Sequence, residues 1–223
     1  MLEGKPDLVA KYQNKPETNL HNPQLAAMLE SIDEGVGRLV QSLRANGLLE
    51  DTLLIFTSDN GGEPAVASPS PLRGGKRQLY EGGVRVPFIA HYPRGVPADT
   101  TCDAPISTID LFPTFTELAS FDSNLALDGA SLCPLFRGED LAPRPLYWHF
   151  PRSHSNARGR SAGAVRQGEY KLIEFYDTGE TELYNLAEDG GEAHDLAPMN
   201  PEIVRALTSQ FSGWRASAGA VVT

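Results

Sequence analysis

The spacing of apolar residues in the early part of the chain predicts one long amphipathic helix. Between residues 22 and 47, apolar side chains recur at steps of three and four positions, which places them on one face of an α-helix. Asn22 is a favourable N-cap, Pro23 suits the first turn, and Gly47 is a natural stop after the last turn. Residues 1–22 are polar and predict a lead-in with one helical turn.

An apolar run without alternation follows this helix. Residues 53–57 show no exchange of polar and apolar positions, which predicts a strand buried on both faces, as in a parallel sheet. Residues 86–92 predict a second buried strand. The glycine-rich connection between them, residues 59–85, has a length that in compact domains is usually functional or disordered. Ser107 and Asp110 then form an approximate capping box, which predicts the start of another helix.

Beyond about residue 140 the pattern changes to short strand-like segments. They cover residues 146–150, 163–166, 170–176 and 181–185. Residues 177–180 predict a hairpin turn between the last two, and residues 201–216 predict a final helix. We therefore expect an α/β domain over residues 1–140 and a small antiparallel α+β subdomain over residues 141–223.

The composition limits the classes of protein to which the chain can belong. It has 223 residues, a net charge of -10 and a pI near 4.9, which suits a soluble globular protein and not a broad nucleic-acid surface. No apolar run approaches the roughly 20 residues of a membrane span, and the polar N-terminus does not resemble a signal peptide. Cys102 and Cys133 lack the spacing of a zinc site, and the sequence leaves open whether they pair.

Two groups of polar residues around the glycine-rich connection are candidates for chemistry. Asp59 and Asn60 follow the first predicted strand, and ligands bind at the carboxyl ends of strands in open α/β sheets. Their oxygens suit a hard cation such as Ca²⁺ or Mg²⁺, although Asp-Asn-Gly is also common in plain turns. Arg73 and Lys76 lie among glycines and could bind a phosphate or sulfate ester; the alternative is a solvated basic loop.

A third group of candidates lies beside Trp148 in the C-terminal region. His149, Arg152 and His154, with Arg158 nearby, combine imidazole and guanidinium groups with an aromatic ring. Such a group could line a pocket for an anion or a sugar. Residues of these types are as often exposed on the surface, and the sequence leaves both interpretations open.

Three motifs occur in an order that resembles one known family. They are Ser58-Asp59-Asn60-Gly61-Gly62, Leu72-Arg73-Gly74-Gly75-Lys76 and Glu81-Gly82-Gly83-Val84-Arg85-Val86-Pro87. Supporting segments in the same order are Asp33-Glu34-Gly35-Val36-Gly37, Ile109-Asp110-Leu111-Phe112-Pro113-Thr114 and Glu182-Leu183-Tyr184-Asn185-Leu186. Together they are similar to the type I, formylglycine-dependent sulfatases of the alkaline phosphatase superfamily. The resemblance spans nearly the whole chain.

The resemblance implies an alkaline phosphatase-like fold with a mainly parallel sandwiched sheet, of which this chain supplies the C-terminal part. It also implies hydrolysis of a sulfate ester, in which the hydrate of formylglycine, formed from a cysteine, attacks sulfur while Ca²⁺ binds the sulfate. Asp59 and Asn60 match calcium ligands of the family, and Lys76 matches the lysine that contacts the sulfate. The further candidate substrate contacts are Arg73, His149, Arg152 and His154.

The chain departs from the family pattern at the nucleophile. The Cys-x-Pro/Ala-x-Arg signature is absent, since Cys102 is followed by Asp103-Ala104-Pro105-Ile106 and Cys133 by Pro134-Leu135-Phe136-Arg137. The early pair of aspartates that completes the family's calcium site is absent as well. We therefore expect the C-terminal half of a sulfatase, incomplete in its metal ligands and with little activity alone.

Several alternatives stay open. A separate N-terminal sulfatase half could complement the chain, or the chain could self-associate through exposed apolar faces. It could be a non-catalytic remnant, or part of a phosphatase or phosphonate hydrolase of the same superfamily. Sugar, aryl and steroid sulfates are all candidate substrates. Members of the family are often periplasmic, secreted or lysosomal, and the sequence leaves the compartment open.

Overall fold

The computed structural model describes residues 2–13, 15, 22–121, 125–151 and 160–222. Within these ranges the α-helices are α1 (Pro6–Gln13), α2 (Pro23–Ala45), α3 (Glu81–Val84), α4 (Leu111–Leu118), α5 (Cys133–Phe136) and α6 (Pro201–Ala218). The strands are β1 (Leu54–Thr57), β2 (Phe88–His91), β3 (Leu146–Phe150), β4 (Ala162–Gln167), β5 (Tyr170–Phe175) and β6 (Thr181–Asn185). None of these helices has the length and apolar character needed to cross a membrane.

Helix α2 begins where the sequence predicts, because Asn22 caps it. The Asn22 Oδ1 atom accepts hydrogen bonds from the backbone N–H groups of Gln24 (2.9 Å) and Leu25 (3.3 Å). At the other end, Gly47 has a φ of +68°, the left-handed conformation expected of a residue that stops a helix. The predicted long helix is therefore confirmed.

Helix α1 is longer than the single turn predicted for the N-terminal segment. Its eight residues bury Leu8 and Val9 against Ala27 of α2. An ion pair between Lys5 and Glu34, 2.9 Å long, joins the same two segments at the surface. Packing of a small apolar cluster thus stabilises a helix that its own polar sequence does not predict.

Strands β1 and β2 form a sheet of two strands in the part of the chain that the structure describes. The prediction that these strands are buried on both faces is wrong, because Phe56 and Ile89 have exposed fractions of 41% and 59%. An apolar run indicates that a strand is suited to burial on both faces. Such burial also requires neighbouring strands and helices that cover the sheet. Among the described residues each of these strands has one neighbour.

Strands β3 to β6 form the predicted antiparallel sheet, and they lie in it in sequential order. In its register Ala164 of β4 lies between Trp148 of β3 and Ile173 of β5. These three residues belong to a buried cluster on one face of the sheet, against which Leu79 and Tyr80 of the glycine-rich connection also pack. This face of the C-terminal sheet therefore supports the connection.

Helix α6 covers the opposite face of the same sheet. Leu172 and Leu183 pack with Leu207 and Phe211 of the helix in a second buried cluster. Because side chains alternate along a strand, each strand contributes to both clusters. The C-terminal antiparallel sheet with a terminal helix is thus a layered structure in which one face carries α6 and the other carries the connection.

The chain divides into two compact units. One consists of Met1–Gly37, Thr57–Pro87 and Arg144–Thr223, and the other consists of Arg38–Phe56 and Phe88–Pro143. The glycine-rich connection and the C-terminal sheet therefore belong to the same unit, which holds all the residues with candidate chemistry that the structure describes.

In the second unit the predicted capping box is present and precedes α4. The Ser107 N–H donates to the Asp110 carboxylate over 2.7 Å. The same carboxylate accepts from the N–H of Ala130, and the Thr114 hydroxyl oxygen accepts from the N–H of Leu132, each over 2.9 Å. These bonds hold α4 to the segment that leads into α5.

Candidate functional site

The glycine-rich connection, residues 59–85, is folded back on itself by backbone hydrogen bonds. The N–H of Lys76 donates to the carbonyl of Gly62, and the N–H of Gly61 donates to the carbonyl of Gly83, both over 2.9 Å. The first of these bonds joins the start of the connection to its middle, and the second joins the start to its end. The predicted cation ligands and the predicted sulfate-binding lysine are therefore carried by segments that the structure brings together.

Two of the glycines are required by this close packing. A Cβ atom on Gly61 would lie 1.8 Å from the carbonyl oxygen of Gly82, and one on Gly83 would lie 2.0 Å from that of Gln78. Both distances are far below van der Waals contact, so any other residue would force the backbone segments apart. Gly61 and Gly83 are therefore required for the shape of the connection.

Three side chains on the connection, those of Asp59, Asn60 and Lys76, make no hydrogen bond or ion pair with any residue that the structure describes. Asp59 and Lys76 are exposed and Asn60 is half-buried. Arg77, the next cation along the chain, differs because its guanidinium pairs with Glu63 over 2.8 Å. A closely packed backbone thus presents three polar groups that are available to a ligand.

Arg73 is held by internal partners. Its guanidinium donates to the Tyr184 hydroxyl over 2.7 Å and to the Glu192 carbonyl over 2.9 Å. It also lies 4.0 Å from the ring centroid of Tyr80. Both tyrosine hydroxyls donate to the Glu182 carboxylate, and burial together with this carboxylate raises the pKa of each tyrosine. Arg73 thus joins the connection to the C-terminal sheet, and its predicted contact with a substrate stays a prediction.

A buried ion cluster, which the sequence did not predict, lies beside Arg73 and includes Glu192. The Lys171 ammonium lies 2.8 Å from the Glu81 carboxylate and 2.9 Å from the Glu192 carboxylate, and all three side chains are almost completely buried. Desolvation raises the pKa of Glu192. A signal was present in the sequence, since Lys171 precedes the apolar Ile173 by two positions and must share its face of the strand.

His149 is not brought to the glycine-rich connection. It lies on the α6 face of the sheet, with Nδ1 2.7 Å from the Tyr176 hydroxyl and Nε2 3.1 Å from the Val221 carbonyl. Because a carbonyl only accepts, Nε2 is the ring nitrogen that donates to Val221. The alternation of side chains along β3 is the reason for this placement. Arg152 and His154 lie outside the described residues.

The oxygens of Asp59 and Asn60 fit the ligand chemistry that calcium prefers, but they are too few. Calcium takes about six to eight oxygen ligands. Across the ranges that the structure describes, no group of three or more His, Cys, Asp and Glu side chains is placed to bind a metal ion. The described residues therefore supply at most a part of a calcium site.

The two cysteines are both free thiols, so they do not pair with each other. Cys102 is exposed, whereas Cys133 is buried at the start of α5. Burial raises the pKa of the Cys133 thiol, and a raised pKa lowers the fraction of reactive thiolate. Neither residue stands in the signature that the family uses for its nucleophile.

Two family models match the chain. The model of N-sulphoglucosamine sulphohydrolase, C-terminal, matches residues 75–216, and the Sulfatase model matches residues 4–121. A sulfatase of Formosa agariphila is 35% identical over 218 residues, which cover 87% of this chain and 39% of that protein. Arylsulfatase A of Homo sapiens is 34% identical over 226 residues, which cover 87% of this chain and 44% of that protein.

A solved structure agrees with these matches. The crystal structure of Ps i-CgsB in complex with k-i-k-neocarrahexaose is 32% identical and has a TM-score of 0.82, over 96% of this chain and 47% of that chain. The predicted alkaline phosphatase-like α/β fold is therefore confirmed. The chain spans less than half the length of each of these relatives. By the two family models and by these similarities, the chain belongs to the sulfatase family.

Proposed function

We propose that this chain forms part of an enzyme that hydrolyses sulfuric esters, and that Asp59, Asn60 and Lys76 are its contribution to the active site. The observation that carries the proposal is the contrast between backbone and side chains in the glycine-rich connection. Its backbone packs so closely that a Cβ atom at Gly61 would clash, yet these three side chains have no partner among the described residues. A plain solvated loop does not require such packing.

Lys76 is proposed to contact the sulfate group of the substrate. Its ammonium is a compact charge with three donors on a flexible stem, which suits the oxygens of a sulfate. The hydrogen bond between its N–H and the Gly62 carbonyl fixes the backbone from which this stem extends. A positioned cation stabilises the negative charge that develops on the ester oxygens in the transition state.

Asp59 and Asn60 are proposed as two ligands of a calcium ion whose other ligands come from outside the described residues. When bound, the ion would act as a Lewis acid towards the oxygens of the ester. The part of this chain is to present one carboxylate and one amide oxygen directly after β1, where neither group is engaged by another described residue.

The nucleophile is proposed to lie outside this chain. Cys133 is buried, its pKa is raised, and Leu135 stands two positions after it where the family signature has proline or alanine, although Arg137 has the right offset. Residues 1–140 would then be the C-terminal part of the α/β catalytic domain. Residues 141–223 would be the subdomain that supports the glycine-rich connection.

The remaining candidate substrate contacts differ in how far their side chains are occupied by internal hydrogen bonds. The Arg73 side chain keeps an exposed fraction of 41%, so part of its guanidinium can still reach a substrate. His149 would have to exchange two internal hydrogen bonds for a substrate contact. We therefore propose Arg73 ahead of His149, while Arg152 and His154 stay predictions from the sequence.

A polypeptide that supplies the N-terminal half of the fold, or a second copy of the chain, is the proposed partner. Helix α4 exposes three large apolar residues, Phe112, Phe115 and Leu118, with exposed fractions of 50%, 47% and 40%. A helix with such a face is normally covered. Light scattering of the purified chain should show self-association, and a monomer with a cooperative thermal transition would contradict this part of the proposal.

The proposed activity can be tested by supplying the missing half. The N-terminal region of the Formosa agariphila sulfatase, up to the point where it matches this chain, would be fused to residues 1–223. Formation of formylglycine at a cysteine in the family signature would be checked by mass spectrometry. We expect this fused protein to hydrolyse nitrophenyl sulfate. Faster hydrolysis of a phosphonate monoester would favour the phosphonate hydrolase alternative. A folded, converted fusion that hydrolyses neither ester would indicate a non-catalytic remnant.

A further inference from the structure

Lys171 has an unusual environment for a lysine. It is fully buried on β5, between the carboxylates of Glu81 at 2.8 Å and Glu192 at 2.9 Å. The desolvation of a buried ion pair can exceed its mutual attraction, so such a cluster is weak evidence that it exists for stability alone. Loss of the lysine, however, would leave two carboxylates in the interior without this counter-charge.

Glu192 connects this cluster to the glycine-rich connection in two ways. Its carboxylate accepts a hydrogen bond of 2.6 Å from the N–H of Glu81, and its backbone carbonyl accepts one of 2.9 Å from Arg73. Its φ is +52°, in the left-handed region that favours glycine. A buried glutamate in this conformation indicates that the contacts of its side chain outweigh the backbone strain.

The two contacts lie on either side of Lys76. Arg73 and Glu81 flank the lysine, and the carbonyl of Arg73 accepts a hydrogen bond of 2.8 Å from the N–H of Gly82. The cluster therefore holds the segment 73–82 near both of its ends.

We propose that Lys171 is a positioning residue that, by pairing with Glu81 and Glu192, holds the segment 73–82 on the C-terminal sheet and so sets the position of Lys76. The importance of this position for catalysis rests on the proposed function of Lys76. The structural role of Lys171 does not depend on that function, and it can be tested on the 223-residue chain without any substrate.

The test is hydrogen exchange in the variant Lys171→Met, which keeps an unbranched side chain one atom shorter and removes its charge. The amides of Lys76 and Gly82, both of which donate hydrogen bonds within the connection, should exchange at least about tenfold faster than in the unsubstituted chain. The amides shared by β4 and β5 should change by less than about twofold. The matched control is Lys5→Met, which removes an exposed ion pair of 2.9 Å and should leave the connection unchanged.

A rescue experiment separates pairing of charge from simple filling of space. The triple variant Lys171→Met, Glu81→Gln and Glu192→Gln removes both carboxylates together with the lysine, and it should restore slow exchange at Lys76 and Gly82. If Lys171→Met does not fold, Glu81→Gln alone, which removes the 2.8 Å ion pair between the connection and Lys171, should accelerate exchange at Lys76 and Gly82 and leave that of the sheet unchanged.

Two results would overturn the proposal. One is exchange at Lys76 and Gly82 that is the same in Lys171→Met and in the unsubstituted chain. The other is equal acceleration in the connection and in the sheet, without rescue by the triple variant. Neither result bears on the proposed function, which fails separately if Lys76 does not affect hydrolysis by the fused protein.

Discussion

Lys76 and Gly62 are joined by a backbone hydrogen bond of 2.9 Å, which places the cation beside the segment that follows Asp59 and Asn60. This relationship is a property of the backbone and does not involve the charged groups. Substitutions that disturb the backbone of the connection should therefore alter the site while its charged groups stay intact.

Replacement of Gly61 by alanine should destabilise the chain. The new Cβ atom would meet the Gly82 carbonyl oxygen at 1.8 Å, and we expect a loss of about 1–3 kcal/mol in the free energy of unfolding measured with urea. Gly213→Ala is the matched control, because nothing lies within 4 Å of a Cβ atom at this position. Alanine has a higher helix propensity than glycine, so this change within α6 should stabilise the chain by up to about 1 kcal/mol. Equal stability of the two variants would contradict the close packing of the connection.

The stability of the chain should depend on the ionisation of Glu192. Desolvation raises the pKa of this glutamate above its ordinary value of 4.5, against the attraction of Lys171, so the folded state holds the proton to a higher pH than the unfolded state does. The stabilisation of the folded state by the protonated Glu192 is fully present below pH 4.5 and is lost as the pH rises through the raised pKa. The free energy of unfolding, relative to Glu192→Gln, should therefore fall with rising pH.

Glu180 provides the control of opposite sign. The Arg160 guanidinium lowers the pKa of this exposed carboxylate, so its contribution is lost as the pH falls. The free energy of unfolding relative to Glu180→Gln should rise with pH or stay flat, because exposed pairs contribute little. The free energy of unfolding relative to Glu192→Gln and that relative to Glu180→Gln should change differently with pH. If both change with the same slope, the raised pKa of Glu192 is not the cause of the pH dependence.

The two thiols should differ in their rates of alkylation. Cys102 is exposed, whereas Cys133 is buried and its pKa is raised, so iodoacetamide should modify Cys133 at least about tenfold more slowly. Mass spectrometry of Cys102→Ser and Cys133→Ser assigns each rate. In urea the two rates should become equal, and a fast reaction of Cys133 in the folded chain would place it outside the interior.

The 223-residue chain alone should hydrolyse nitrophenyl sulfate no faster than the uncatalysed background, because it carries no nucleophile in the family signature. The measurement uses the purified chain with added Ca²⁺. Turnover that Lys76→Ala abolishes would show that the chain is sufficient, and it would contradict the placement of the nucleophile elsewhere.

Local sequence patterns predicted most of the elements because their causes are local. The cap at Asn22 and the box at Ser107 and Asp110 are short-range hydrogen bonds, and the structure contains both. The alternation of β3 to β6 and the stripe of α6 likewise report which face each element buries. The burial of β1 could not be predicted in this way, since it depends on which other strands lie beside it.

The sequence predicted only part of what the structure shows around the candidate site, for the same reason. The motif order predicts Asp59, Asn60 and Lys76 as site residues, and the structure brings the segments that carry them together through the packing of glycines. The cluster around Lys171 was missed because a lysine in a strand is normally exposed, and its two carboxylates lie far away in the sequence. Contacts of this range are properties of the fold.

The most direct test of the central claim compares Lys76→Ala with Lys5→Ala in the fused protein. Loss of a positioned charge at the sulfate should lower kcat/KM for nitrophenyl sulfate by about 100-fold or more, while loss of the exposed Lys5, which pairs with Glu34, should change it by less than about twofold. The thermal transitions of both variants should match that of the unsubstituted fusion. If Lys76→Ala keeps kcat/KM within about twofold of the unsubstituted value, Lys76 is not the residue that binds the sulfate.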